Sequence, residues 1–309
     1  MAATALAAPQ EASKRRAREI KKIVIGLLFI SPWIVGFLWL TLYPMLASFY
    51  YSFTEYQILA APKWIGLANF NEMFFHDKLF WTSVGNTLYY AVISLPVGTV
   101  GSILLALLLN RKVRGMSFYR TLYYVPTVVP AIASVMLWAW ILNPSVGLVN
   151  FLLSLIGIKG PGWFNDPYWA KPALIVLGLW GMGGGVVIYL AGLQDIPTHL
   201  YEAASLDGAN GIQKALHVTI PLLTPTIFFN VVMGLIGAFQ YFTQAFVAQG
   251  AFGGPLNSLL FYNLYLYRNA FSYYRMGYAS ALAWVLLVFV LIVTLGIFRT
   301  TGRWVHYGG

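Results

Sequence analysis

"YEAASLDGANGIQKALHVTIP" (201–221) carries Glu202, Asp207, Asn210, Gln213, Lys214 and His217 in a chain otherwise dominated by apolar residues. Its pattern predicts a helical hairpin. Thr198 stands where an N-cap is expected, and Leu200, Ala203 and Ala204 fall on one face of the helix that follows. Asp207-Gly208 then supplies a turn, because Gly adopts positive φ without a steric penalty. A second short helix places Ile212, Ala215 and Leu216 at i, i+3 and i+4, with Gln213, Lys214 and His217 facing away, and Pro221 is expected to stop it. The result is a small apolar ridge with almost no side-chain bulk at Ala203 and Ala204. On patterning alone, this ridge fits either insertion into another protein's groove or packing against the chain's own helices.

The rest of the chain belongs in a bilayer. Of 309 residues, 59% are hydrophobic and 9% charged, with a mean hydropathy of +0.71, whereas soluble domains are about a quarter charged. Six stretches reach the roughly 20 apolar residues a transmembrane helix needs: 23–52, 84–109, 121–142, 172–194, 224–247 and 277–298. None of them contains Asp, Glu, Lys, Arg or His. The first is too long for a signal-peptide core and is read as a retained span.

Basic residues near span ends are held in the cytoplasm. Lys14, Arg15, Arg16, Arg18, Lys21, Lys22, Arg111, Lys112, Arg114, Arg120, Lys214, Arg299 and Arg303 fall on one side. These are thirteen of the nineteen Lys and Arg residues. The termini (1–22 and 299–309) and the hairpin loop 195–223 are therefore expected in the cytoplasm, flanking a six-helix membrane domain at 23–298. The net charge of +10 follows from this topology and from attraction to anionic headgroups, so nucleic acid is not an expected partner.

The loop 53–83 has Trp64, Phe70, Phe74, Phe75, Phe80 and Trp81, residues suited to a membrane interface. In the loop 143–171, "VGLVNFLLSLIG" is too short to span and reads as an interfacial or re-entrant helix. Pro126 and Pro130 remove backbone donors from span three, and "GMGGG" (181–185) suits close helix crossing better than a hinge. In span five, Asn230, Gln240 and Gln244 can line a solute path or bond to neighbouring helices, Gln240 and Gln244 sharing a face at i, i+4.

Catalytic chemistry is not in evidence. Gly-Lys never occurs, so there is no P-loop. His76, His199, His217 and His306 lack metal-site spacing, and zero cysteines exclude thiolate chemistry. Glu202 and Asp207 lie about 140° apart around a helix, with no acid–base partner. The scattered outer-face groups Glu55, Glu72, His76, Asp77 and Asp166 suggest no site for a membrane-bound enzyme. With no ionisable group in the spans, an autonomous ion-coupled carrier is disfavoured, although a carrier or channel for a neutral solute stays the alternative.

The opening stretch resembles the EAA loop of binding-protein-dependent ABC import permeases, E-A-A-x-x-x-G-x(9)-I-x-L-P. Glu202, Ala203, Ala204, Gly208 and Pro221 match, and Val218 and Ile220 are conservative departures. "LYPMLASFYYSFTEY" (42–56), "WIGLANF" (64–70), "LYYVPTVVPAIASVMLWAWILNPSVGLVNFLL" (122–153), "LAGLQDIPTHLYEAASLDGA" (190–209) and "MGYASALAWVLLVFVLIV" (276–293) resemble its sugar-permease branch.

The resemblance implies an all-α, six-span type I importer permease in the cell membrane. Its coupling loop would be carried by Glu202, Ala203, Ala204, Asp207, Gly208, Ile212, Leu216 and Pro221. It implies a cytoplasmic ABC ATPase dimer that binds the ATP, a second permease chain, and an extracytoplasmic solute-binding protein. No cofactor is implied for this chain. The solute is expected to be a sugar, oligosaccharide or polyol, and a neutral one, since the spans hold no basic residue.

Overall fold

A computed structural model of the chain describes residues 7–111 and 113–305, with side chains from residue 18 onward apart from Arg303. Lys14, Arg15, Arg16, Lys112, Arg303 and His306 therefore lie outside the described side chains. Among the described residues, four helices are long and apolar enough to cross a membrane. Six crossings result if each of two bent pairs counts as one. Because backbone groups in lipid must be satisfied internally, each apolar stretch is built mainly of helix, with short breaks in three of them.

The first crossing, α1, is Arg18–Tyr51. It leaves its side chains largely uncovered by the rest of the chain, as suits a helix facing lipid. Near its end it meets the last helix, where Trp284 Nε1 donates to Ser48 Oγ at 3.1 Å. The second crossing, α2, is Lys78–Leu109.

Span three is not the single helix the sequence predicts. It comprises α3 (Met116–Val128) and α4 (Ala131–Ile141), bent by 100°. Pro130 has no N–H to continue the ladder, and its ring forces Val129 into an extended conformation (φ −70°, ψ 128°). A short helix, α5 (Leu148–Leu155), follows where an interfacial helix is expected, with Phe151, Leu152 and Leu155 exposed.

Span four comprises α6 (Ala170–Trp180) and α7 (Gly183–Gln194), bent by 47°. The close crossing expected of the glycine run is made by Gly183, where a Cβ would overlap the backbone carbonyl of Tyr123. At Gly184 nothing lies within 4 Å. After the hairpin helix α8 (Thr198–Leu206), α9 runs over 211–239 with a π turn at Ala215–Thr219. Then come α10 (Thr243–Gln249), α11 (Tyr262–Tyr267) and α12 (Met276–Trp304).

The end of the bundle opposite the hairpin is tied together by loops. Strands β1 (Thr54–Glu55) and β2 (Lys63–Trp64) pair antiparallel. Buried Asn69 donates to the carbonyls of Ser52 and Thr54 at 3.0 and 2.9 Å. Glu72 pairs with Arg275 at 2.6 Å. Asp77 caps α2 by accepting from Leu79 N and Phe80 N at 2.9 and 3.1 Å, and its other oxygen accepts from the hydroxyls of Tyr265 and Tyr278. Burial and the Asp77 carboxylate push the Tyr265 phenol up to about 12, so it stays a donor. Of the loop aromatics, Trp64, Phe74, Phe75 and Trp81 are exposed, as an interfacial role requires. Phe80 is only 2% exposed and belongs to the core, because the Asp77 cap turns it inward.

Asp77→Ala is expected to destabilise the chain by about 1–2 kcal/mol through the lost cap alone. The two phenols left without an acceptor add to this. Thermal unfolding in detergent measures it, and an unchanged midpoint would refute the role.

Candidate coupling hairpin and translocation cavity

The hairpin is built by backbone rules more than by burial. Pro197 is extended (φ −60°, ψ 131°), so α8 begins at Thr198, whose side chain makes no cap. The expected Thr198 N-cap is therefore not formed, since the capping position falls on a residue without a side-chain acceptor. At the far end Gly208 takes φ +78°. Ala209 N donates to Ala204 O at 2.9 Å and Gly208 N to Ser205 O at 3.1 Å. These two bonds make a Schellman termination, in which the residue after the cap must be left-handed.

The returning arm starts with a capping box that the sequence reading overlooked. Asn210 Oδ1 accepts from Ile212 N and Gln213 N at 3.0 and 2.9 Å, and Gln213 Oε1 accepts from Asn210 N at 2.8 Å. The N-x-x-Q spacing was a legible signal for it. Gln213 is thus a capping residue rather than a free polar face. Lys214 Nζ donates to Ser205 Oγ at 2.6 Å, joining the arms near the tip. Tyr201 and Thr219 hydroxyls meet at 2.9 Å at the base.

Pro221 does not stop the second helix. The π turn moves the hydrogen bond to i−5, with Ile220 N donating to Ala215 O, and Pro221 enters the first turn of the resumed α-helix, where a missing N–H is tolerated. The hairpin is therefore continuous with α9.

Exposure divides the hairpin residues. Leu200 turns inward and packs on the core formed by Leu109, Val186 and Leu193. Ala204 is half-buried, whereas Glu202, Ala203, Asp207 and Gly208 are exposed. Leu206, Ile212 and Leu216 are 90%, 73% and 55% exposed. The chain leaves this apolar tip uncovered by its own helices.

Between α2, α6, α7 and α9 lies a cavity of about 300 Å³. Gly98, Gly178, Gly185, Gly234 and Gly237 open it by withholding side chains, and Tyr90, Ser94, Thr99, Ser102, Tyr189, Asn230 and Tyr241 supply its polar wall. The rings of Tyr90 and Tyr241 lie 4.2 Å apart, centroid to centroid. Asn230 holds its orientation by donating to Thr226 O at 2.9 Å.

Of the three path candidates from the sequence, Asn230 is on this wall, and Gln240 and Gln244 are not. Their shared helical face does not form. The helix ends at Phe239 and resumes at Thr243, with Phe242 at φ −141°, ψ −63°. The α2 wall was missed, although Tyr90, Ser94, Gly98 and Ser102 recur at i, i+4, i+8 and i+12, one face of a helix.

The outer-face acids Glu72 and Asp77 are engaged in the ion pair and cap described above. Among the described residues no group of three or more His, Asp or Glu gathers to hold a metal.

A helical membrane domain with a polar-walled internal cavity and a projecting hairpin is built to move a solute across a membrane. Residues 98–300 match the family described as binding-protein-dependent transport system inner membrane component, and the chain belongs to that family, a family of membrane transport subunits and not of enzymes.

The chain is 44% identical to the probable ABC transporter permease protein YesP of Bacillus subtilis over 296 residues, covering 95% of this chain and 96% of that one. It is 33% identical to the lactose transport system permease protein LacF of Rhizobium radiobacter, covering 88% and 92%. It also superposes, with a TM-score of 0.81 and 26% identity over 94% of this chain and 99% of the other, on a chain of a bacterial ABC transporter involved in the import of the acidic polysaccharide alginate. The importer permease fold implied by the sequence is thereby borne out.

Proposed function

We propose that this chain forms the translocation path for a carbohydrate in an ABC importer, with residues 195–223 as the element that docks on a separate ATPase. The observation that carries the reading is continuity. One helix, α9, bears the exposed Ile212 and Leu216 at one end and the cavity residues Asn230 and Gly234 further along. A push on the hairpin displaces the cavity wall without an intervening loop. ATP is bound by the partner, whose differential affinity for two states of the permease drives the switch.

Carbohydrate as the cargo is supported by the wall chemistry, since hydroxyl and amide groups meet sugar hydroxyls and tyrosine faces meet sugar C–H surfaces. Relatives named for lactose, arabinooligosaccharides and trehalose/maltose point the same way. A solved neighbour is a transporter bound to an alginate pentasaccharide-carrying periplasmic protein, in keeping with delivery by a binding protein. One chain offers one hairpin and an ATPase dimer two clefts, so a second permease chain completes the assembly. The distribution of basic residues supports a cytoplasmic position for both termini and the hairpin.

Leu206→Asp is expected to insert at normal levels, since the side chain is 90% exposed, yet to lose co-purification with the ATPase and, with it, uptake. Pull-down of the tagged chain followed by mass spectrometry reads this directly. Wild-type chain recovered alone, and moving solute in liposomes without ATP, would refute the proposal in favour of an autonomous carrier.

A further inference from the structure

One cation stands just beyond the end of the cavity that lies away from the hairpin. Helix α6 begins at Ala170, so half-buried Lys171 stands on its first turn. Deeper on the same stripe, Ile175, Gly178 and Leu179 line the cavity. On α2, Asn86 stands one turn above Tyr90, another wall residue. Lys171 Nζ donates to Asn86 Oδ1 at 3.0 Å, approaches Ser258 O at 3.5 Å and lies 5.3 Å from the centre of the Tyr89 ring. Asn86 in turn donates to the carbonyls of Asn257 and Leu260 at 2.8 and 3.1 Å.

The ammonium thus has neutral acceptors and a ring face, but no counter-ion. Among the described residues the one ion pair is Glu72–Arg275. Ser258, whose carbonyl the ammonium approaches, is 6% exposed and its hydroxyl makes no hydrogen bond. Burying a charge and a hydroxyl without full partners is costly, and such groups persist where something else completes them. A half-buried cation with only neutral partners, one turn above a polar cavity, is complementary to a carboxylate.

We propose that Lys171 is a specificity-determining residue that receives a carboxylate of the passing saccharide, so that the transported class is acidic, uronate-bearing oligosaccharide. The inference rests on the carbohydrate reading above. It replaces the neutral solute expected from the sequence, where the apolar stretch begins at 172 and Lys171 falls just outside it; the helix begins earlier and carries the cation to the end of the path. A carboxylate at Lys171 replaces a neutral amide acceptor by a charged one.

The test uses the assembled transporter, with partner permease, ATPase and binding protein, in proteoliposomes energised by ATP. The probes are uronate oligosaccharides released from alginate and pectin, and the same molecules with their carboxylates reduced to alcohols. Lys171→Gln is expected to lower uronate uptake about tenfold, the order expected for losing one charge-assisted hydrogen bond. Lys171→Arg restores most of it, and uptake of reduced probes changes little.

Equal losses for both probe classes would make Lys171 a structural tie and overturn the inference. So would wild-type uptake confined to reduced probes, or full uronate uptake by Lys171→Gln. Uptake of a non-saccharide solute alone would overturn the carbohydrate reading, a result distinguishable from the others.

Discussion

Gly208→Pro abolishes uptake while the chain still reaches the membrane and folds: this is the expected result at the tip of the hairpin. Gly208 sits at φ +78°, which proline cannot adopt because its ring holds φ near −65°. Its N–H, which donates to Ser205 O at 3.1 Å, is also lost. The Schellman turn then opens and the two arms lose the angle that Lys214 and Ser205 lock at 2.6 Å.

Nothing within 4 Å would meet a Cβ at Gly208, so the damage is conformational and confined to the hairpin. Gly208→Ala, which pays only the left-handed backbone penalty of about 1–2 kcal/mol, is expected to be intermediate. ATP-dependent uptake in proteoliposomes, set beside the amount of folded chain in the membrane, separates coupling from folding. Normal uptake by Gly208→Pro would show that the hairpin transmits nothing.

Gly183→Val is expected to act in the opposite way, on the fold itself. A Cβ at Gly183 would overlap the Tyr123 carbonyl oxygen, and the Thr127 side chain lies at 3.0 Å. Backbone cannot rotate away as a side chain can, so α3 and α7 must separate. Overpacking costs about 1–3 kcal/mol where side chains yield, and this site is at or beyond that range. Gly184→Val, one residue on and open on all sides to 4 Å, is the control expected to be nearly neutral. Thermal melting of the two variants in detergent decides it, and equal midpoints would mean that the helices do not cross here.

The two glycines show how differently the sequence speaks at different places. At Gly208 the signal was local: Asp-Gly between two amphipathic segments is a turn wherever it occurs, and the structure makes it one. At Pro221 the same kind of reasoning failed, because a proline stops a helix only if its missing N–H and its ring cannot be absorbed. The π turn at Ala215–Thr219 absorbs both. Thr198 was lost as a cap because Pro197 fixes the backbone one residue earlier.

The cavity was the least legible part. Tyr90 and Tyr189 lie in stretches that read simply as apolar membrane helix, and only the packing of four helices around five missing side chains turns their hydroxyls inward. Lys171 was hidden by a boundary, since an apolar stretch marks the hydrocarbon core and not the ends of the helix that crosses it.

What the sequence determined by itself is therefore what depends on solvent and on near neighbours. Apolar length dictates helices in a bilayer, loop charge sets the expected topology, and residues 201–221 encode a hairpin with its own turn and cap. The tertiary structure decided what depends on distant segments meeting. It set the contact of Gly183 with Tyr123, the cavity and the Lys171–Asn86–Ser258 cluster. In lipid every apolar face is already solvated, so hydrophobicity states that a helix spans but not which neighbour it touches; small residues and polar groups choose the partner, and their pairing exists only once the helices are together.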